Sequence, residues 1–202
     1  SWCGVSHASS PLRHFQRSLD VVKSNSATRT GIATSWLCLG IGIGLLAPIE
    51  PAAAVETPRN FKSTRVFVVG DSLTVGSANP LRKQLKPRVR SVAVDARVGR
   101  FTGEGIARLR TSIARSASVW VVALGTNDSP SATQTRRSVE KVMRLAGNQR
   151  QVIWVNVVRP GGYSRVNRAL QELDIKYPRL TVIDWAAVIR KQRSLLASDR
   201  VH

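Results

Sequence analysis

The chain has 202 residues, a length that allows one domain and an appendage. Its charge is lopsided: 31 Lys and Arg against 12 Asp and Glu give a formal net of +19. Such a field attracts nucleic acid, phospholipid surfaces or acidic cell-wall polymers, or it simply keeps an Arg-rich surface solvated. Both cysteines, Cys3 and Cys38, lie in the first 40 residues, and His7 and His14 lie between them. The body of the chain therefore has no disulfide framework, no thiolate metal site and no histidine cluster for zinc. No metal or cofactor is expected, and a histidine base in the body would have to be His202.

In chain order, residues 1–29 are polar, with Arg13, Arg17, Lys23 and Arg29 and few acids. From Thr30 to Ile49 there is no charge, and Trp36-Leu37-Cys38-Leu39 leads into Ile41-Gly42-Ile43-Gly44-Leu45-Leu46. The basic flank, the apolar centre and the small residues Ala52 and Ala54 read as a secretory signal peptide cleaved after Ala54. An uncleaved membrane anchor over residues 30–49 is the alternative, since an uncharged stretch of that length can just span a bilayer. The chain thus divides into 1–54, an N-terminal extension plus signal peptide (or membrane anchor); 55–64, a linker containing Pro58; and 65–202, a folded domain. Either reading of the first segment places that domain outside the cytoplasm, secreted or in the cell envelope.

In the domain, apolar β-type runs alternate with helical patterns. Strands are expected at Arg65–Val69, Ser91–Asp95, Ser118–Leu124, Gln151–Val158 and Leu180–Asp184, each rich in Val, Ile or Trp and short enough to be a buried parallel strand. Helices are expected at Thr74–Leu85, Gly103–Ala114, Ala132–Leu145, Tyr163–Lys176 and Ala186–Leu196. Ile106, Leu109 and Ile113 have helical spacing, as do Val139, Val142 and Leu145. Pro80 should break or kink the first helix. Strict alternation of these lengths predicts an α/β fold, an open parallel five-stranded sheet covered by helices on both faces.

In such sheets ligands bind beyond the carboxyl ends of the strands. The segments there are Gly70-Asp71-Ser72, Ala96-Arg97-Val98-Gly99-Arg100, Gly125-Thr126-Asn127-Asp128 and Arg159-Pro160-Gly161-Gly162. A serine, a glycine amide and an asparagine amide at one rim could stabilise an oxyanion. Taken singly, each has a plainer reading. Ser72 could be a helix N-cap, Asn127 a turn residue and Gly99 a backbone requirement, with Asp71 shaping the turn. Asp95 and Asp184, both at strand ends, compete with Asp199 as a partner for His202, but only Asp199 stands three residues from it.

Together, Gly70-Asp71-Ser72-Leu73, Gly99, Gly125-Thr126-Asn127-Asp128 and Asp199-x-x-His202 resemble the four ordered sequence blocks of the GDSL, or SGNH, hydrolases. The resemblance covers about residues 65–202. It implies a flavodoxin-like three-layer α/β/α sandwich, with Ser72 as nucleophile, His202 as general base and Asp199 orienting the imidazole. The backbone amides of Ser72 and Gly99 and the side chain of Asn127 would form the oxyanion hole. It also implies a closing helix after His202, so the domain reads as truncated there. The stretches Val94–Arg100, Ala123–Asn127 and Val155–Pro160 are similar to the extracytoplasmic SGNH domains of peptidoglycan O-acetyltransferases.

The expected function is that of an exported serine esterase or acyl-transfer enzyme for small O-acyl (acetyl) esters, with a small-molecule or cell-wall glycan ester as substrate. A lipid esterase or lysophospholipase of the same family is one rival. The other is a catalytically inactive basic module that binds anionic envelope polymers. Export and the lack of a nucleic-acid motif argue against nucleic acid as a partner. Contact with a membrane is expected only through residues 30–49.

Overall fold

The computed structural model describes residues 61–196. The expected signal peptide or anchor lies outside the described residues, as do Asp199 and His202. Five strands run β1 (Phe61–Gly70), β2 (Val89–Ala96), β3 (Val119–Ala123), β4 (Gln151–Val155) and β5 (Leu180–Ile183). All pair in parallel, in the order β2-β1-β3-β4-β5. The helices are α1 (Ser72–Leu85), α2 (Thr102–Arg108), α3 (Ser112–Ser116), α4 (Ala132–Ala146), α5 (Tyr163–Lys176) and α6 (Trp185–Lys191), followed by a 3-10 turn, Arg193–Leu195.

Side-chain alternation along the strands creates two apolar faces, as a pleated ribbon requires. Phe67, Val69, Trp120, Val122, Val152 and Trp154 face one way, packed with Ile106 of α2 and Leu109 just after it, Val139 and Val142 of α4, and Leu170 and Leu173 of α5. Val66, Val68, Val119, Val121 and Ile153 face the other way, with Leu81 and Leu85 of α1. Because both faces are covered, Val66–Val69 of β1, β3 and Val152–Trp154 of β4 lack any polar alternation, and this is why they read as continuous apolar runs. The sandwich has the three layers and the five-stranded parallel sheet expected.

Four expectations are corrected. First, β1 begins at Phe61, inside the expected linker: Phe61 is buried and pairs with Val89, and Lys62 Nζ donates to Pro87 O at 2.7 Å. Second, α1 is not broken at Pro80 but runs through it. Pro80 is exposed, so the Gly76 carbonyl that it leaves without an amide partner can turn to water.

Third, the expected helix 103–114 is two short ones. The amides of Leu109, Arg110 and Thr111 bond to carbonyls two or three residues back in tightened turns. Thr111 then restarts the helix, its hydroxyl donating to Arg108 O at 2.9 Å and accepting from Ala114 N at 3.4 Å. The break buries Leu109 and turns Ile113 outward, 60% exposed. Fourth, the expected helix 186–196 ends at Lys191, and Leu195 and Leu196 follow on the 3-10 turn and beyond.

Candidate functional site

The turn from β1 into α1 is built by Gly70 and Asp71. A Cβ on Gly70 would sit 1.8 Å from Thr74 Oγ1, so only glycine lets the helix start this close to the strand. Asp71, 1% exposed, is the N-cap, with its carboxylate accepting from Leu73 N at 3.1 Å. Ser72 is therefore the first helical residue rather than the cap. Half-buried, it stands just beyond the carboxyl end of β1.

Since β1 lies between β2 and β3, the ends of those strands flank the end of β1 that leads into Ser72, with paired strands about 4.8 Å apart. From β2, Arg97 N donates to Gly70 O at 3.2 Å, and the chain then turns with Gly99 at φ +70. From β3, Gly125 at φ +120 opens a turn in which Asp128 N donates to Gly125 O at 3.2 Å, with the half-buried Asn127 between them. The two loops are tied together: Asn127 Nδ2 donates to Arg100 O at 3.2 Å. Asp128 Oδ1 accepts from Thr102 N at 3.1 Å. The β3 loop is held from behind as well, because Tyr163 Oη donates to Asp128 O at 2.6 Å and Arg159 Nη1 donates to Thr126 O.

Three of the expected site residues, Ser72, Gly99 and Asn127, thus share one rim at the ends of three adjacent strands. The other two, Asp199 and His202, lie outside the described residues. The competing acids prove to be occupied. Asp95 accepts from Arg100 Nη2 at 2.7 Å and Arg108 Nε at 2.6 Å. Burial pushes its carboxyl up, but the hydrogen bonds and charges of Arg108 and Arg100 outweigh that and leave it below the ordinary aspartate range. Asp184 caps α6, accepting from Ala187 N at 2.9 Å and from Asn156 Nδ2 at 2.7 Å.

On its α1 side, Ser72 opens onto a cavity of ≈ 590 Å³ lined by Leu73, Leu81, Val121, Ile183, Trp185 and Leu196, among others. It is predominantly apolar, bounded by α1, the second face of the sheet and the 3-10 turn. No long apolar insertion announces it, because its walls are strand and helix residues that read as ordinary core. Sequence reasoning placed Arg159 at the rim without giving it a role and passed over Tyr163; both brace the Asn127 loop from 33 to 37 residues away. Only Arg159 carried a signal, as a cation just past the expected strand Gln151–Val158. Among the described residues no group of His, Cys, Asp and Glu is placed to hold a metal ion, and no helix is long and apolar enough to cross a membrane.

No family model and no curated protein sequence matches the chain. Solved structures do. The C-terminal catalytic domain of peptidoglycan O-acetyltransferase A from Streptococcus pneumoniae superposes with a TM-score of 0.57 at 20% identity, covering 71% of this chain and 81% of that one. A member of the lipolytic G-D-S-L family from Veillonella parvula gives 0.57 at 17% identity, covering 68% and 88%. A lipase from a goat rumen metagenome gives 0.54 at 23% identity, covering 69% and 90%. The class these likenesses define is one of architecture: the chain has the SGNH hydrolase fold.

Proposed function

We propose that the chain is a serine esterase or acyl-transfer enzyme in which Ser72 is the nucleophile. The observation that carries the reading is the convergence of Ser72, Gly99 and Asn127 on the ends of three adjacent parallel strands. Ser72 Oγ adds to the acyl carbon of an ester as its proton passes to a base. The oxygen of the former carbonyl, now an oxyanion, accepts from the Ser72 and Gly99 amides and the second Nδ2 hydrogen of Asn127. Collapse of this intermediate expels the alcohol, which takes the proton back from the base. The acyl-enzyme then passes its acyl group to water in an esterase, or to a sugar hydroxyl in a transferase.

The base in this reading is His202, with Asp199 holding the far ring nitrogen and its tautomer. Two facts support the assignment. Leu196, the last described residue, lines the same cavity as Ser72. His202 is only six residues further on, a span of at most roughly 20 Å when fully extended.

For substrate, we favour small O-acyl esters, acetyl above all, carried on a cell-wall glycan. The likeness to a peptidoglycan O-acetyltransferase domain and a net charge suited to anionic envelope polymers support this choice. An exported location belongs to the same proposal. One observation favours a second reading, a lipid ester: the apolar cavity beside Ser72 could take an acyl chain. Turnover of p-nitrophenyl acetate against p-nitrophenyl decanoate, with Ser72→Ala as blank, separates the two. Preference for acetate supports the glycan acetyl ester, and preference for decanoate replaces it with the lipid. No Ser72-dependent turnover of either leaves the reading without support.

A further inference from the structure

This inference rests on the reading of Ser72, Gly99 and Asn127 as the reacting rim. An oxyanion hole works only if its donors are held still, and Gly99 has no side chain with which to anchor itself. It sits exposed in a turn at φ +70, where the backbone is least constrained by neighbours. The residue after it supplies what Gly99 lacks. The Arg100 side chain folds back beneath the turn and is only 7% exposed. Its Nη1 donates to Asp95 O at 2.6 Å and to Gly70 O at 3.3 Å, and its Nη2 donates to Asp95 Oδ1 at 2.7 Å. Its own carbonyl accepts from Asn127 Nδ2 at 3.2 Å.

One residue therefore touches the end of every strand that carries a donor: Gly70 before Ser72, Asp95 on β2, and Asn127 beyond β3. The bond to Asn127 has a chemical consequence. A primary amide nitrogen carries two hydrogens. With one spent on the Arg100 carbonyl, the amide plane is fixed and the other hydrogen has a fixed direction. The charge is balanced locally, because Asp95 is shared between Arg100 and the half-exposed Arg108 of α2. A planar guanidinium reaches several acceptors at once, which a lysine ammonium cannot do in the same geometry. Nothing in this arrangement places Arg100 against the substrate.

We propose that Arg100 is a positioning residue, which sets the Gly99 amide and the Asn127 amide in register with Ser72. It acts on the transition state through those donors. Loosening it should lower kcat while leaving KM nearly unchanged, since the donors are called on fully only once the oxyanion forms.

The test is a double-mutant cycle on p-nitrophenyl acetate turnover by the full chain, with Arg100→Met, Asn127→Ala and the pair, and thermal unfolding of each. Arg100→Lys, which keeps the charge against Asp95, takes the place of Arg100→Met if the latter does not fold. The expected result is a kcat loss on the order of tenfold to a hundredfold with KM within about threefold. In the Asn127→Ala background the further loss from the arginine variant should be clearly smaller, because part of its path runs through Asn127. A folded arginine variant with wild-type kcat, or losses that simply multiply, overturns the proposal and leaves the Ser72 reading intact. Wild-type protein with no Ser72-dependent turnover fails the underlying reading instead, and that control is read before any variant.

Discussion

Val157, the second residue beyond β4, is 4% exposed, yet its backbone has no strand partner. The side-chain amide of Asn167 on α5 stands in for one: Asn167 Oδ1 accepts from Val157 N at 3.0 Å, and Nδ2 donates to Val157 O at 2.8 Å. Replacing Asn167 by alanine removes both bonds and leaves two part-buried backbone groups unmatched. A made bond contributes about 1 kcal/mol, and an orphaned buried group costs about 1–3 kcal/mol. Because Asn167 is only half-buried, some water can reach the gap, and the lower half of that range applies. The expected loss is about 2–4 kcal/mol, or roughly 8–16 °C in Tm for a domain of this size. Asn167→Asp keeps the acceptor but turns a second carboxylate oxygen on the Val157 carbonyl, and it should lose at least half as much. Urea unfolding followed by circular dichroism measures both, with an unchanged m-value as the check on compactness. If both variants stay within about 0.5 kcal/mol of wild type, the amide does not replace a strand partner and the reasoning fails.

Two aspartates should respond to pH with opposite sign. Asp95 titrates below its ordinary value in the folded chain, so its stabilising effect is present above the unfolded pKa of about 3.9 and is lost as pH falls through the folded one. The stability advantage of wild type over Asp95→Asn should therefore shrink in acid. Asp174 is raised by burial, only partly offset by the hydrogen bond from Val182 N. Its contribution is full below about 3.9 and is lost as pH rises through its folded value, so wild type should gain on Asp174→Asn in acid. Tm measured from pH 3 to 7 for the three proteins reads both trends, and parallel curves would contradict them. The basic residues Arg82, Lys83, Lys86, Arg88 and Arg90 sit at the end of α1 and the start of β2, at the amino-terminal end of the parallel strands, away from the rim that carries Ser72. Reversing three of them should weaken salt-sensitive binding to cell-wall polymer in a sedimentation assay while changing small-ester turnover by less than about twofold. Loss of both would show that charge and chemistry are not separate.

What the sequence could disclose was whatever depends on near neighbours. Val66 to Val69 and Val119 to Val122 announce buried strands because nothing polar interrupts them, and both sheet faces are covered. Gly70-Asp71 announces the turn because a Cβ at Gly70 would collide with Thr74 and Asp71 caps the helix that follows. The break at Thr111 was hidden: Ile106, Leu109 and Ile113 keep helical spacing whether or not the helix continues. Threonine also caps and occupies helix interiors alike. The Arg100 strut was hidden for a different reason, since its bonds join Gly70, Asp95 and Asn127 across 5 to 30 residues. The cavity beside Ser72 was equally silent, because a wall of Val121, Ile183 and Leu81 has the composition of a packed core.

Whether Ser72 is an activated nucleophile served by His202 is tested most directly by treating the purified chain with a fluorophosphonate probe and mapping the adduct by mass spectrometry, with no assumption about the natural substrate. The expected result is an adduct on Ser72, absent in Ser72→Ala and formed at least about a hundredfold more slowly in His202→Ala. No adduct, an adduct on another serine, or labelling of Ser72 that is indifferent to His202 would contradict it.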